Sequence, residues 1–326
     1  MSTHPAIDPQ SPRRRPAAAA SAATFEPDAI GLRLHREQAK TFYARAVLLQ
    51  VRLGTDTTSG GPWLAETRRL VHRLVDLVHE DDTTLLGLVT IKSLETPEGR
   101  RVRTHAVNVA ILSLVLSRQA GLPRQAMAEV AMAALLHDVG LDATEDSALH
   151  GLHGAECLLQ LGPIESVVRP ALVALEHHVE GDLAECGTST RIVQIADLYD
   201  TLTARGGAAA TPDRVLSFLL RQRGASCDPT LVKALAHALG VYPPGTLVRL
   251  EGGETGVVLR ANRHPDLLDR PLVRVLRDAS GKRCETVRTI DLAARDENGH
   301  FVAAIATSLA PAAHEESPAA IFLGAR

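Results

Sequence analysis

The middle third of the chain contains a run of potential ligands for divalent metal ions: His105, His137, Asp138, His150, His177, His178 and Asp197. A lone histidine on a helix is usually an ordinary polar group, so the adjacent pairs carry more weight. His137 and Asp138 directly follow the apolar run AMAALL at 131–136, and Asp197 sits among Ile192, Val193, Ile195 and Ala196. Burying an imidazole and a carboxylate at the end of a core helix is costly unless something neutralises and binds them. A metal ion does both. Imidazole and carboxylate without thiolate suit Fe, Mn or Zn rather than a structural thiolate zinc site, and all three metals accept them. An aspartate can span two ions, and water held between two cations yields hydroxide near neutral pH. That arrangement is suited to attack on a phosphoester. Against it stands a plain helical protein with solvated histidines.

The elements that must bring these residues together read as helices with short links. A first helix is expected from about residue 27 to 53, followed by a Gly, Thr and Ser-rich loop at 54–62 (GTDTTSGGP). Leu70, Val71, Leu74, Val75, Leu77 and Val78 recur at helical spacing in a second. Further helices are expected at 102–119, 126–139, 151–161, 164–178, 190–204 and 212–222. A last one starts after Asp228, an N-cap followed by Pro229. At Tyr242 the pattern changes. Pro243, Pro244 and Gly245 break the helix, and strand character appears at 246–250, 256–259, 272–276 and 285–290. The expected fold is mainly α: a helical bundle at 99–240, an N-terminal helical region at 25–98 and a small, barrel-like β domain at 241–308. Residues 1–24, rich in Pro, Ala, Ser and Arg, are expected to be a disordered tail, and 309–326 a second tail. The N-terminal helices read as a hairpin packed on the central bundle, or as a sensory or dimerisation module.

Bulk properties limit the function classes. Net charge is -3 and the sequence pI is about 6.5, so no basic face for a nucleic-acid polymer is implied. Cys157, Cys186, Cys227 and Cys284 form no CxxC pair and read as reduced thiols of a cytosolic protein. No apolar run approaches the ~20 residues of a membrane helix. Arg13, Arg14 and Arg15 precede an alanine run, but Pro16 interrupts it and the stretch is too small-sided for a signal peptide. A cytoplasmic location is expected.

The central segment resembles the HD-GYP family, the branch of the HD superfamily that hydrolyses cyclic di-GMP. The matching strings are RTHAVNVA at 103–110, LLHDVG at 135–140, HGLHGA at 150–155, EHH at 176–178 and IADLYDTLT at 195–203. They fall in the family's order over about residues 100–240. The β segment beginning YPPGT at 242–246 is also similar to the end of many such proteins. Carried over, the resemblance implies two metal ions. His105, His137, Asp138 and Asp197 would hold one. Asp138 would bridge to the other, held by His150, His177 and His178. His137 and Asp138 are the catalytic pair on this reading, with a metal-bridging hydroxide as nucleophile. His153 matches a non-ligand position. Asp200 and Thr203 match the trailing motif and are expected to be helix-surface or capping groups.

Three positions depart from the family. The loop that ends in Gly-Tyr-Pro is replaced by the shorter, more acidic VEGDLAECG at 179–187. Leu141 stands where the family has a lysine expected to contact phosphate, so a charge-assisted bond is lost. Arg101 occupies the place of a glutamate that brings a third metal in some members, one helical turn before His105, which argues for two ions. Arg101 and Arg103 are candidate substitutes for the lost phosphate contact. The expectation is a metal-dependent phosphodiesterase of a cyclic dinucleotide or related phosphoester, with two divalent ions, Fe or Mn before Zn. Its rival is a signalling or binding protein that retains the metal site but barely turns over. A homodimer through the N-terminal helices is a further expectation.

Overall fold

In the computed structural model the described residues are 29–53, 62–95, 98–141, 149–179, 185–204, 211–222 and 227–310; the side chains of 29–33, 53, 62 and 92–103 are not among them. The expected N-terminal tail, residues 311–326 of the expected second tail, residues 54–61 of the expected loop at 54–62 and most of the loop at 179–187 therefore lie outside the described residues, whereas Leu309, expected in the tail, ends a strand and Pro62, expected in the loop, begins a helix. Among the described residues ten α-helices and five strands succeed one another, as expected of a mainly α fold with a C-terminal sheet.

Helices α1 (Ala29–Leu53), α2 (Pro62–Glu80) and α3 (Thr83–Glu95) precede the metal-ligand segment. The third is not among the expected helices: TTLLGLVTI has no polar face to give it a helical period, because Leu85, Leu86, Leu88, Val89 and Ile91 are all buried. Next come α4 (Glu98–Gln119), α5 (Arg124–Leu136), α6 (His150–Leu161), α7 (Ile164–Glu176), α8 (Thr188–Ala204), α9 (Pro212–Arg221) and α10 (Pro229–Leu239). Asp228 caps α10 as expected, its Oδ1 accepting from the backbone N–H groups of Thr230 and Leu231. One continuous apolar core runs from Ala39 on α1 to Leu239 on α10. The helices before residue 99 share that core with those that carry the histidines.

The C-terminal strands are β1 (Leu247–Leu250), β2 (Thr255–Arg260), β3 (Leu272–Arg277), β4 (Arg283–Asp291) and β5 (Ile305–Leu309). They form an antiparallel sheet in the order β4-β3-β2-β1-β5. β4 and β5 are its two edges, so the hydrogen bonding is open rather than closed as in a barrel. The fifth strand, unexpected from sequence, pairs with β1 through Leu247 with Leu309 and Val248 with Ser308. The sheet has its own apolar clusters, Val248, Leu250, Val258, Val273 and Leu292 on one face and Leu247, Val257 and Leu276 on the other. It is tied to the helices by buried Asp82, which pairs with Arg118 of α4 and, at 2.5 Å, with Arg263 after β2. Among the described residues no helix is long and apolar enough to cross a membrane.

Candidate metal centre

His105 projects from the middle of α4, and Asp197 from α8. Those two helices pack side by side. His137 and Asp138 do not sit inside α5 but in the turn that ends it. The turn tightens through backbone bonds from Val139 to the Leu136 carbonyl and from Leu141 to the Asp138 carbonyl. His150 is the first residue of α6, and His177 and His178 come directly after the last residue of α7. Three of the seven candidate ligands thus stand at the ends of α6 and α7, which converge on one point.

Two glycines make that convergence feasible. A Cβ on Gly140 would lie 2.1 Å from the His150 carbonyl oxygen and 2.4 Å from the Gly154 nitrogen. A Cβ on Gly151 would lie 2.6 Å from the Ala174 carbonyl oxygen. Any larger residue at 140 would push the start of α6, and His150 with it, away from Asp138. Any larger residue at 151 would part α6 from the end of α7.

The carboxylate of Asp138 occupies the middle. Its Oδ2 lies 3.3 Å from His137 Nε2 and 3.7 Å from His105 Nε2. Its Oδ1 lies 3.4 Å from both His150 Nε2 and His177 Nε2. One oxygen therefore faces each of two histidine groups. His105, His137 and Asp138 bring ligand atoms within 4.8 Å of one another, and so do His150, His177 and His178. Asp197 joins the first group through its Oδ1, 3.0 Å from His105 Nε2. His178 joins the second through ring contacts, 4.1 Å between centroids to His177 and 4.9 Å to His150. All seven sequence-derived candidates come together. Arg101 and Arg103 lie on α4, but their side chains are outside the described residues.

The donor atoms are pre-oriented. His137 Nδ1–H donates to the Ala134 carbonyl at 2.8 Å, which leaves Nε2 as the lone-pair nitrogen. That Nε2 is buried and has no hydrogen-bond partner among the described residues. A buried lone pair facing a carboxylate oxygen without an intervening proton is unfavourable; a cation there satisfies both. His177 is held likewise by the Ala174 carbonyl at 2.8 Å. His105 Nδ1–H donates to Asp200 Oδ2 at 2.8 Å, so its Nε2 and Asp197 Oδ1 also need a proton or a cation between them. The residues fit a divalent metal by atom type, by orientation and by the unsatisfied nitrogen.

Electrostatics agree. Burial pushes His137 down to about 4, so it is neutral at physiological pH. Burial, with the neighbouring His177, lowers His178. Burial alone would lower His105, but its bonds to Asp197 and Asp200 outweigh that and hold it well above the usual histidine value. Burial alone would raise Asp138 and Asp197, yet the surrounding histidines bring both carboxyls below their ordinary value. Ionised carboxylates beside the neutral His137 suit a divalent cation, which would take the place of the proton that Asp197 and Asp200 favour on His105.

Asp200 corrects an expectation. It is not a surface or capping group: it is 2% exposed, and it accepts from His105 through Oδ2 and from Asn108 Nδ2 through Oδ1 at 2.9 Å. Thr203 is buried too, its hydroxyl bonded to the Tyr199 and Asp200 carbonyls as a helix-backbone contact. Helical spacing holds the signal that points to Asp200. It comes three residues after Asp197, and Asn108 comes three after His105, so each partner shares a helix face with a ligand. His153 is outside both ligand groups, with Nδ1 buried and unpartnered among the described residues. Leu141, in place of the family lysine, lies in the turn that closes over Asp138.

Residues 102–202 match the HD domain family. The chain is 30% identical over 268 residues to the cyclic di-GMP phosphodiesterase PA4108 of Pseudomonas aeruginosa, an alignment covering 73% of this chain and 62% of that protein. It is 29% identical over 168 residues to the 3'3'-cGAMP-specific phosphodiesterase 3 of Vibrio cholerae, covering 43% of this chain and 35% of the relative. Against the response regulator RpfG of Xanthomonas campestris, a cyclic di-GMP phosphodiesterase, identity is 33% over 148 residues, covering 37% and 39%. The chain thus spans about three fifths of the first of these relatives and under two fifths of the other two. Among solved structures it is similar to Bd1817, an HDG"Y"P protein from Bdellovibrio bacteriovorus, with a TM-score of 0.48 at 14% identity over 66% of this chain and 73% of that one. Residues 102–202 thus carry an HD domain, and the chain is similar over most of its length to PA4108 while holding no Gly-Tyr-Pro sequence.

Proposed function

We propose that this protein is a metal-dependent phosphodiesterase of a cyclic dinucleotide, cyclic di-GMP first. Two divalent ions, Fe or Mn before Zn, would be held on either side of Asp138. His105, His137 and Asp197 would hold one, and His150, His177 and His178 the other. The observation that carries this reading is the division of the Asp138 carboxylate, with Oδ2 toward one histidine group and Oδ1 toward the other. The relatives named as cyclic di-GMP and cGAMP phosphodiesterases support the substrate class.

When bound, such a pair supplies Lewis acidity and lowers the pKa of water at neutral pH. The chain's own residues prepare the site for it. Ala134 and Ala174 carbonyls and Asp200 fix the three Nδ1–H groups, so Nε2 of His137, His177 and His105 all face inward. His137 stays neutral through burial and presents a lone pair rather than a proton. His178 is exposed, which puts the open side of the site at the end of α7, where a phosphodiester would enter. On this reading the unit from 99 to 240 carries the chemistry, and 25–98 and 241–308 flank it.

Leu141 favours a second reading. An aliphatic side chain replaces the phosphate-contacting lysine, so binding without efficient turnover is the alternative, with Arg101 and Arg103 as candidate replacements. One assay decides. The full chain, loaded with Mn(II) or anaerobically with Fe(II), is incubated with cyclic di-GMP, 3'3'-cGAMP and a panel of nucleotide phosphoesters. The proposal expects cleavage of at least one cyclic dinucleotide, abolished in Asp138→Ala. Tight binding of cyclic di-GMP without any cleavage would establish the second reading instead.

A further inference from the structure

Behind His105 a chain of buried polar groups leads out of the metal centre and into α1. His105 Nδ1–H donates to Asp200 Oδ2 at 2.8 Å, and Asn108 Nδ2 donates to Asp200 Oδ1 at 2.9 Å. The Tyr43 hydroxyl donates to Asn108 Oδ1 at 2.6 Å. Tyr43 is 4% exposed, Asn108 1% and Asp200 2%. The three lie on α1, α4 and α8, and α1 lies wholly outside the segment that matches the HD domain.

Each link fixes the next. A donor on Asn108 Oδ1 sets the amide with its nitrogen toward Asp200. That N–H holds one carboxylate oxygen and turns the other onto His105. The His105 Nδ1–H is thereby fixed, and its Nε2 faces Asp138 and Asp197. A carboxylate behind a ligating histidine sets the ring's tautomer and basicity.

A second contact reaches the same half of the site. Gln50, also on α1, donates from Nε2 to the Leu135 carbonyl at 2.8 Å. Leu135 is in the last turn of α5, two residues before His137, where carbonyls have no intrahelical partner. Around Tyr43 the face of α1 toward the core is apolar, with Ala39, Phe42, Ala46 and Leu49 buried, while His35 nearer the start of the helix bonds to the Asp81 carbonyl at 2.7 Å. A phenylalanine at 43 would fill the same space without the hydroxyl. Of the polar contacts that the described residues of α1 make with other helices, those of Tyr43 and Gln50 end on the helices that lead to His105 and His137.

We propose that α1 sets the geometry of the His105–His137 half of the metal centre, with Tyr43 as a positioning residue acting through Asn108 and Asp200. This rests on the metal-centre reading above. It gives the N-terminal helices a regulatory role: a displacement of α1 that parts the Tyr43 hydroxyl from Asn108 and Gln50 from the Leu135 carbonyl weakens one of the two metal sites.

The test is calorimetric titration of the metal-stripped full chain with Mn(II) alone, comparing wild type, Tyr43→Phe and Phe42→Leu. Tyr43→Phe should weaken one Mn(II) by about 10-fold, at the low end of what groups behind metal ligands contribute, and leave the other unchanged. Phe42→Leu disturbs the packing of the same helix and should lower Tm while both affinities stay at the wild-type value. In the Zn(II)-loaded protein, ring 15N shifts should report His105 as the Nδ1–H tautomer in wild type and as a mixture in Tyr43→Phe. Wild-type affinities and tautomer in Tyr43→Phe would overturn the inference. So would an equal loss in Phe42→Leu, since the effect would then be general loosening. A wild-type chain that binds no Mn(II) would instead remove the metal-centre reading itself.

Discussion

The two halves of the candidate metal centre are built differently. The His105, His137 and Asp197 half lies between core helices. Its rings are held by a buried carboxylate and a helix-end carbonyl, with Tyr43 and Asn108 behind the carboxylate. The His150, His177 and His178 half is assembled from the ends of α6 and α7. It relies on close backbone approach at Gly140 and Gly151, and it ends in the exposed His178. The first half is packed into the core, and the second carries the exposed residue of the site. A buried charge network is expensive to break, whereas an exposed imidazole is not. The same set of ligand types therefore serves stability on one side and access on the other.

That contrast can be broken in several places. The largest effect is expected for Asp138→Ala, which serves both halves: both metals should be lost, and hydrolysis should fall by about a thousand-fold or more, read by metal analysis and by the dinucleotide assay. Next is His105→Ala, which leaves buried Asp200 without its cationic partner. It should destabilise the metal-free protein by about 3–5 kcal/mol in urea unfolding. Gly140→Ala should cost roughly 2–4 kcal/mol through overpacking against the His150 carbonyl, and should release the metal of the second half before that of the first.

Smaller is the pH effect of His137. Its folded pKa, about 4, is below the unfolded value of about 6.5, so the unfolded chain takes up the extra proton between those limits. Stability is thus lost as pH falls from 6.5 toward 4. His105, held high, contributes in the opposite sense, so the readout is a difference: wild type should lose about 1–3 kcal/mol relative to His137→Gln across that window. Smallest is His178→Ala. Metal-free stability should change by less than about 0.5 kcal/mol, while affinity for one ion drops about 10–100-fold. A large stability loss in His178→Ala would erase the contrast between the halves.

The candidate ligand set is legible in the sequence where chemistry and context coincide. A His-Asp pair after AMAALL, or an aspartate among Ile192, Val193 and Ile195, has few uses other than binding a cation. The helices that carry them are legible by period. Helix α3 is not, since a segment buried on every side shows no period to read. Nor is β5, a short strand after a long irregular stretch, whose pairing with β1 is a tertiary fact. The role of Asp200 is legible only in part: its spacing from Asp197 is in the sequence, but the packing of α4 on α8 is what puts it against His105. Tyr43 is out of reach for the same reason, lying 65 residues before the asparagine it holds. The glycines at 140 and 151 read as parts of motifs, while their function, letting backbones meet, depends on distances no sequence carries.

The central claim is that Asp138 stands between two cations. Anomalous diffraction from crystals of the Mn(II)-loaded full chain, collected at the Mn edge, tests it without recourse to activity. The account predicts two peaks about 3.5–4 Å apart, one beside His105 and His137 and one beside His150 and His177, with one Asp138 oxygen on each. A single peak on one side of Asp138, or no peak within reach of its carboxylate, would contradict it.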